Sequence, residues 1–475
     1  MTIRLYNTLS LGVEEFKPVT PGEARFYSCG PTVYHFAHIG NMRAYVMADV
    51  LKRMLIANGL FVRHIINITD VGHLTSDADT GEDKMEKGSR RTGESVRDVA
   101  KFYTEAFMRD MDDLNNLPPA EYTKATDFIK EQIALVEKLE ALGYTYKIEG
   151  DGIYYDTSKF PSYGELGHQP LDELKAGARI ALADGKRNPT DFALWKFSPK
   201  DEKRQMEWDS PWGVGFPGWH IECSAMSLAK LGDRLDIHSG GVDHIKIHHT
   251  NEIAQSEPVV GHKWVNHWMH VEHLNDKTGK MSKSVGDFLT ITALKERGIR
   301  PIEYRYYLLL ASYRTMLEFT FEGLEAAAKA YRNLVARAAR LIENPDLPDS
   351  SRPDAAEAEA WKRRMLDAAS NDLNTAGVIA ALQDALKDGN MSDKTKAEIA
   401  KYADGLLGLT IMADARALEG GREVRPEGRL LKLIKERQDA KAAKDWAKAD
   451  AIRAEIDAMG YALTDEKDGV KATRK

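Results

Sequence analysis

Lys280 and Lys283 stand three apart in the run Lys280-Met281-Ser282-Lys283-Ser284. Gly279 and Gly286 bracket it, and the polar stretch Asn275 to Thr278 precedes it, so the run reads as an exposed loop. Two lysines at that spacing can reach one phosphate chain. Attack on an α-phosphate requires charge to be neutralised on that phosphate and on the departing pyrophosphate. Positioned cations supply this with little call for a general base. Taken alone, such a run is more commonly a solvated basic loop. A second run far upstream, His38-Ile39-Gly40-Asn41, gives it a counterpart. Together they make activation of a substrate by ATP the leading chemistry.

The elements that would position the upstream run can be read around it. Ala24 to Cys29 reads as a strand, which Gly30 and Pro31 break. Thr32 to Gly40 reads as a loop. From Asn41 onward, Met42, Tyr45, Val46, Ala48, Leu51, Met54 and Leu55 recur at helical spacing. The loop therefore delivers His38, Gly40 and Asn41 to a helix N-terminus, where backbone N–H groups and the helix dipole favour an anion. Gly40 lets the chain come close to a ligand. Phe61 to Ile68 reads as the next strand, so the opening is βαβ and the sheet parallel. An ordinary capped turn, with Asn41 as the cap and the histidines at the surface, explains this stretch alone equally well. Further on, Gly240-Gly241-Val242-Asp243-His244 follows an expected strand, Asp233 to His238. An open α/β sheet binds ligands at such strand ends. A Gly-rich turn with Asp243 capping the following helix is the plainer alternative.

The chain has only two cysteines, Cys29 and Cys223, which excludes a disulfide-stapled scaffold and suits a reducing compartment. Cys29 ends the strand beside the nucleotide loop. Cys223 falls in Trp219 to Leu231, which reads as a helix. His248 and Glu252 are four apart in another helical stretch and project from one face. Cys29, Cys223, His248 and Glu252 have the types and number for tetrahedral zinc, and two thiolates favour zinc over magnesium or calcium. There is no Cys-x-x-Cys. The spacing alone fits two buried small hydrophobes and a surface helix as well.

The paired runs His38-Ile39-Gly40-Asn41 and Lys280 to Ser284 resemble the signature of class I aminoacyl-tRNA synthetases. Cys29-Gly30-Pro31-Thr32-Val33-Tyr34 narrows the resemblance to the cysteinyl-tRNA synthetase family. Asn67-Ile68-Thr69-Asp70, Gly215 through Ser224, Asp236-Ile237-His238 and His248 through Glu252 agree with it. The resemblance covers essentially the whole chain. It implies one Zn²⁺ held by Cys29, Cys223, His248 and Glu252, and a cysteine pocket of Cys29, Gly30, Thr69, Trp219 and His238. It implies an ATP site of His35, His38, Gly40, Asn41, Gly240, Asp243, Lys280 and Lys283, with Mg²⁺ accompanying the nucleotide. His38, Asn41, Lys280 and Lys283 would be catalytic. The implied partners are L-cysteine, ATP and tRNA(Cys), charged through the 2′-hydroxyl of its terminal adenosine. Asn41 stands where many class I relatives have a second histidine. The end of the chain, Gly469 to Lys475, lacks the tryptophan often found there in this family. A relative that joins cysteine to an amino-sugar, and a zinc-dependent RNA-binding protein without catalysis, are the competing readings. The C-terminal segments argue against the first and the lysine run against the second.

The expected fold class is α/β: a Rossmann-like parallel-sheet catalytic domain with an inserted connective domain, then a helical bundle and a small anticodon-binding module. The expected bounds are 1–120 and 206–255 for the two catalytic halves, 121–205 for the insertion and 256–318 for the connecting segment. The bundle is expected at 319–418 and the terminal module at 419–475. Gly72 to Gly93 reads as an exposed polar excursion. In the terminal module, Trp446, Ala449, Ile452 and Ile456 read as a packing face. Lys432, Lys435, Arg437, Lys441, Lys444 and Lys448 read as local positive charge for RNA phosphates. The formal net charge of -7 does not by itself advertise nucleic-acid binding, but local basic patches are compatible with it. No apolar run is long enough to span a bilayer, and the start, Met1-Thr2-Ile3-Arg4, leads into a polar stretch rather than a signal-peptide core. A cytoplasmic, monomeric enzyme without membrane contact is the expectation.

Overall fold

A computed structural model describes residues 2–72, 83–169, 185–199, 204–276, 279–280, 289–342, 354–420, 423–424, 428–466 and 469–474. Along the chain run β1 (Glu23–Ser28), α1 (Ile39–Ala57), β2 (Phe61–Ile68), α2 (Lys84–Thr92), α3 (Val96–Asp113) and β3 (Glu121–Lys124). After these come α4 (Ile129–Ala141), α5 (Trp219–Leu231), β4 (Leu235–Gly241), α6 (His248–Val260) and β5 (Val265–Val271). The strands pair in the order β5-β4-β1-β2-β3, all parallel. The order reverses between β1 and β4, so a crevice opens beyond their carboxyl ends. β2 shows why the sheet forms: Val62, Ile65, Ile66 and Ile68 are β-branched and buried, against helices on the sheet's faces. Tyr27, Leu135, Ile221, Met226, Leu235, Ala254, Trp264 and Trp268 belong to one core cluster. Burying each of the larger side chains is worth about 1.5–3 kcal/mol.

The sheet extends one strand beyond each expected bound. β3 lies past residue 120 and β5 past residue 255. The insertion is a four-stranded antiparallel sheet in the order Thr145–Ile148, Gly152–Tyr155, Phe192–Phe197, Gly215–Pro217. Its last strand lies past residue 205 and runs into α5. Apolar pattern alone does not tell which sheet a short strand joins. The expected excursion at 72–93 is also different. Residues 83–93 form a capped helix, with buried Asp83 accepting from the Met85 and Glu86 amides and Gly93 closing it. The part at 73–82 lies outside the described residues.

The helix behind the nucleotide loop begins at Ile39, two residues earlier than expected. Its cap is His38, not Asn41. Arg43, on its second turn, is fully buried and forms no ion pair among the described residues. It donates instead to four carbonyl oxygens: Glu272 (2.8 Å), His273 (2.7 Å), Ser312 (2.9 Å) and Thr315 (2.7 Å). Directly after this clamp, Leu274–Asp276 pairs antiparallel with Gly279–Lys280 and parallel with Leu317–Glu318. The strand that carries the first lysine is thereby tied to α1.

The chain divides into two compact units. One comprises 1–328, 364–379 and 406–409, and the other 329–363, 380–405 and 410–475. The expected bundle at 319–418 is thus shared between them. Its helices are Phe321–Ala339, Ala355–Ser370, Thr375–Lys387, Asp393–Leu407 and, unforeseen in the sequence, Ile411–Gly420. The terminal module has helices Gly428–Ala442 and Trp446–Ala458, and adds a three-stranded sheet with Glu423–Val424 and Tyr461–Glu466 flanking Gly469–Arg474. Leu430, Leu433, Ile434, Ile452, Ile456, Leu463 and Ala472 form its core. Trp446 does not pack there, being 59% exposed. Arg437 is buried and holds Asp465 in a two-pronged ion pair that Lys441 joins, so these two cations are committed within the module. The guanidinium holds the Asp465 carboxyl well below its usual range.

Replacing Arg43 with Met leaves buried carbonyls without a donor, each costing about 1–3 kcal/mol. A stability loss on the order of 3 kcal/mol is expected in urea melts. Arg43→Lys should recover little of it, because an ammonium cannot reproduce the planar fork.

Candidate metal centre and nucleotide cavity

Cys29 follows β1 directly, and its N–H donates to the Ser239 carbonyl of β4 at 3.0 Å. That bond sets the thiol at the point where the two strands part. Cys223 comes from α5, and His248 and Glu252 stand one turn apart on α6. The ligand atoms of these four all lie within 4.8 Å of one another. Cys29 is 9% exposed, Cys223 and His248 2%, and Glu252 0%. The residues predicted as ligands therefore converge.

Burial of four ionisable groups sets their electrostatics. Desolvation opposes charge on His248, but the Glu252 carboxylate and the Cys223 thiol push it up to about 10. Desolvation likewise works against ionised Glu252, and His238 and His248 hold it at about 2. The Cys29 thiol bonded to Cys223 brings Cys223 down to about 7, while burial and Cys223 push Cys29 up. A buried thiolate, imidazole and carboxylate in contact are what a soft divalent cation neutralises, and the donor set fits Zn²⁺. A second set, Cys29, His238, His249 and Glu252, has equally close ligand atoms. The first set fits better. It supplies two sulfurs, and Cys29, Cys223 and His248 line an open cavity whereas His238 and His249 do not.

The surrounding histidines hold the ligands. His238 Nε2 bonds Glu252 Oε2 at 2.9 Å, with its ring stacked on Trp268. It lies behind Glu252 and not on the cavity wall where a cysteine-pocket residue was expected. His220 Nδ1 meets His248 Nδ1 at 2.9 Å. His249 Nε2 lies 3.2 Å from Cys29 Sγ, and its Nδ1 is 2.8 Å from His270 Nε2; His270 Nδ1 in turn meets Thr8 Oγ1 at 2.7 Å. Burial holds His249 and His270 well below the usual histidine range, so they form a neutral relay. The roles of His220, His249 and His270 were missed in the sequence. A signal existed, since eight of the fourteen histidines fall between His238 and His273.

The cavity measures about 810 Å³, within the range of small-molecule sites. Gly30, Thr69 and Trp219 line it beside the two cysteines and His248, and the Trp219 ring lies 4.7 Å from the His248 ring. Asn67 links this wall: its Oδ1 accepts from Gly30 N at 2.6 Å and its Nδ2 donates to Thr69 Oγ1 at 3.1 Å. Thr69 Oγ1 then donates to Glu222 Oε2 at 3.1 Å. Glu222 is a further residue that sequence reasoning passed over. Burial pushes its carboxyl well above the usual range.

His35, His38, Gly40, Asn41, Gly240 and Asp243 line the same cavity. His38 Nδ1 accepts from Asn41 N at 3.1 Å, and Asn41 Oδ1 accepts from His38 N at 3.2 Å. This reciprocal box places the His38 proton on Nε2, making that nitrogen a donor. The Ile39 amide donates to Leu289 O at 2.8 Å. The Ile39 and Asn41 amides, which the sequence offered to a phosphate, are thus already engaged. A Cβ on Gly40 would meet the His38 ring at 2.9 Å, so this glycine makes room for His38. Gly240 is the penultimate residue of β4, not part of a turn. A Cβ there would strike the His244 and His249 rings, while Gly241 beside it faces open space. Asp243 caps no helix; its carboxylate pairs with His273 at 2.9 Å. Of Lys280 only the backbone is described, in its pairing with Asn275, and Lys283 lies outside the described residues.

Residues 15–329 match the family described as tRNA synthetases class I (C) catalytic domain, and residues 428–471 match the cysteinyl-tRNA ligase anticodon binding domain. Cysteine–tRNA ligase 1 of Burkholderia lata is 49% identical over 99% of this chain and 96% of its own length. Cysteine–tRNA ligase of Treponema denticola is 44% identical over 98% of each. Among solved structures, methionyl-tRNA synthetase of Mycobacterium tuberculosis bound by methionyl-adenylate superposes with a TM-score of 0.59 at 14% identity. It covers 84% of this chain and 94% of that one, and shares the fold.

Metal analysis separates the two candidate ligand sets. The purified protein is expected to carry about one zinc, held by four protein ligands and able to expand to five-coordinate when a substrate binds. His248→Gln should lose it. His249→Gln, an outer partner, should keep it with affinity weakened by about 10–100-fold. The reverse pattern would assign the metal to the second set.

Proposed function

The chain belongs to the cysteinyl-tRNA synthetase family, and from that premise we propose how its own residues perform the reaction. It is a cysteine–tRNA ligase: it activates L-cysteine with ATP to cysteinyl-adenylate and pyrophosphate, then transfers cysteine to the 3′-terminal adenosine of tRNA(Cys). The observation that carries the reading is that Cys29, Cys223 and His248 of the four-residue cluster line one cavity with the His38 loop.

In the first step the cysteine carboxylate attacks the α-phosphorus of ATP, which enters as its Mg²⁺ complex, and pyrophosphate leaves. His38, with its proton on Nε2, donates to phosphate oxygen. Asn41 acts by locking His38 through their reciprocal bonds and is a positioning residue. Lys280 and Lys283 close over the phosphates and neutralise the charge that builds on them. Asp243, held by His273, accepts from the ribose hydroxyls, and Gly241 leaves room for the nucleoside. In the second step the 2′-hydroxyl of the terminal adenosine attacks the adenylate carbonyl, and AMP leaves.

Cys29, Cys223, His248 and Glu252 would hold Zn²⁺, which would supply a soft Lewis acid for which a thiolate is a far better ligand than a serine hydroxyl. An apolar pocket would separate such small side chains by only about 1–3 kcal/mol, so a metal contact would make a separate editing site unnecessary. Trp219 and Thr69 close the pocket around the substrate. His238 contributes through Glu252 and not by contact.

The helices after residue 319 and the terminal module bind the tRNA stem and anticodon. Lys435, Lys444 and Lys448 are exposed there and suited to phosphate. Among the described residues no helix is long and apolar enough to cross a membrane. Two free thiols suit the reducing cytoplasm, where we place the enzyme.

Cysteine-dependent ATP–pyrophosphate exchange, run beside serine and alanine, tests the activity; exchange with cysteine alone is expected. Lys283→Ala should slow adenylate formation by about 10²–10³-fold, as loss of one charge-stabilising group does. Cysteine binding should change little. An unaltered pre-steady-state adenylation rate would remove Lys283 from the mechanism.

A further inference from the structure

An aromatic step stands at the rim of the cavity. Phe36 lines the cavity yet remains 37% exposed, and Phe102 of α3 beside it is 47% exposed. Their rings lie 5.8 Å apart, edge to face, and both meet Tyr103 edge-on, at 5.0 Å and 5.1 Å. Tyr103 is buried and anchors the pair. The His35 ring stacks on it, and Arg91 bonds both its hydroxyl (3.1 Å) and the Tyr34 carbonyl (2.8 Å). Two phenyl rings are thus held rigid and left facing water at the entrance of a polar cavity. Neither the metal cluster nor the nucleotide-loop contacts use them.

We infer that Phe36 and Phe102 form a stacking platform for the unpaired nucleotides that precede the terminal adenosine of the tRNA. This rests on the ligase reading above. That reading requires the terminal adenosine to enter the cavity, so the bases before it must lie across the rim, continuous with the platform. Each base has a π-face, and stacking on an aromatic side chain is worth about 1–3 kcal/mol per base without regard to sequence. Lys101 and Arg97 are exposed on α3 and available to phosphates, but Asp98 and Glu105 are exposed there too. The charge of this face is mixed, and stacking carries the affinity. The platform acts in the transfer step and not in activation, because ATP and cysteine need no tRNA to react.

The full-length enzyme is tested with Phe102→Leu, which keeps apolar bulk but removes the ring, and Phe102→Trp, which keeps an aromatic face. Phe102 does not line the cavity, so cysteine-dependent ATP–pyrophosphate exchange should remain unchanged in both. For Phe102→Leu, KM for a tRNA(Cys) transcript in charging should rise by about 5–100-fold, matching one lost stack. Phe102→Trp should charge like the wild type. A transcript lacking its last three nucleotides should bind wild type and Phe102→Leu equally. Unchanged charging by Phe102→Leu overturns the platform. So does a raised KM for ATP in exchange, which would give the rings to the nucleotide's own base. If the wild type fails at cysteine-dependent exchange, the ligase reading itself falls, whatever Phe102 does.

Discussion

Two thiols, an imidazole and a carboxylate are buried within 4.8 Å of one another where two parallel strands diverge. Such a cluster is costly unless protons or a cation neutralise it. Without metal, the arrangement resolves into an ion pair: His248 pushed up, Glu252 held down, and one thiol lowered at the other's expense. Around it the fold supplies an unusually polar interior. His238, His249, His270 and His220 each engage a ligand or a ligand's neighbour, and Trp268 packs on the His238 and His249 rings. The sheet order serves the same end. Only at the switch between β1 and β4 can a residue from one half of the fold meet two helices of the other half.

The second constraint links the two signature runs. Arg43 forms no ion pair among the described residues and is spent on four backbone carbonyls, two of them at the root of the strand pair that carries Lys280. Leu289, just after the lysine run, accepts from the first amide of α1. The lysine segment therefore leaves and rejoins the body of the enzyme at the helix whose cap is His38. The described residues on either side of the run, His273 and Leu289, are thus both bonded to α1, next to the His38 loop.

Legibility from sequence followed how local each determinant is. The helices Trp219–Leu231 and the strand Phe61–Ile68 were readable to the residue, because apolar spacing and flanking breakers are local signals. The proposed metal set drew notice because the chain has only two cysteines, and the family resemblance was needed to join His248 and Glu252 to them over two buried hydrophobes. What escaped depended on tertiary partners. β3 and Gly215–Pro217 are short strands whose sheet is decided by distant pairing. The cap moved from Asn41 to His38 because an imidazole can close a reciprocal box. Gly240 looked like space for a ligand and is space for two histidine rings. His249, His270 and Glu222 lie in contact with the site through side-chain directions that spacing does not reveal. In the terminal module, Arg437 looked like charge for RNA and is bound to Asp465 on a strand that the sequence pattern did not announce.

We propose that the Cys29–Cys223–His248–Glu252 cluster holds zinc and reads the substrate's sulfur. X-ray absorption at the zinc edge of the purified enzyme tests this. Two sulfur neighbours are expected at about 2.3 Å and two nitrogen or oxygen neighbours at about 2.0–2.2 Å. The sulfur count should rise to three on adding L-cysteine and stay at two on adding L-serine. A site without zinc, or a sulfur count unmoved by cysteine, would contradict it.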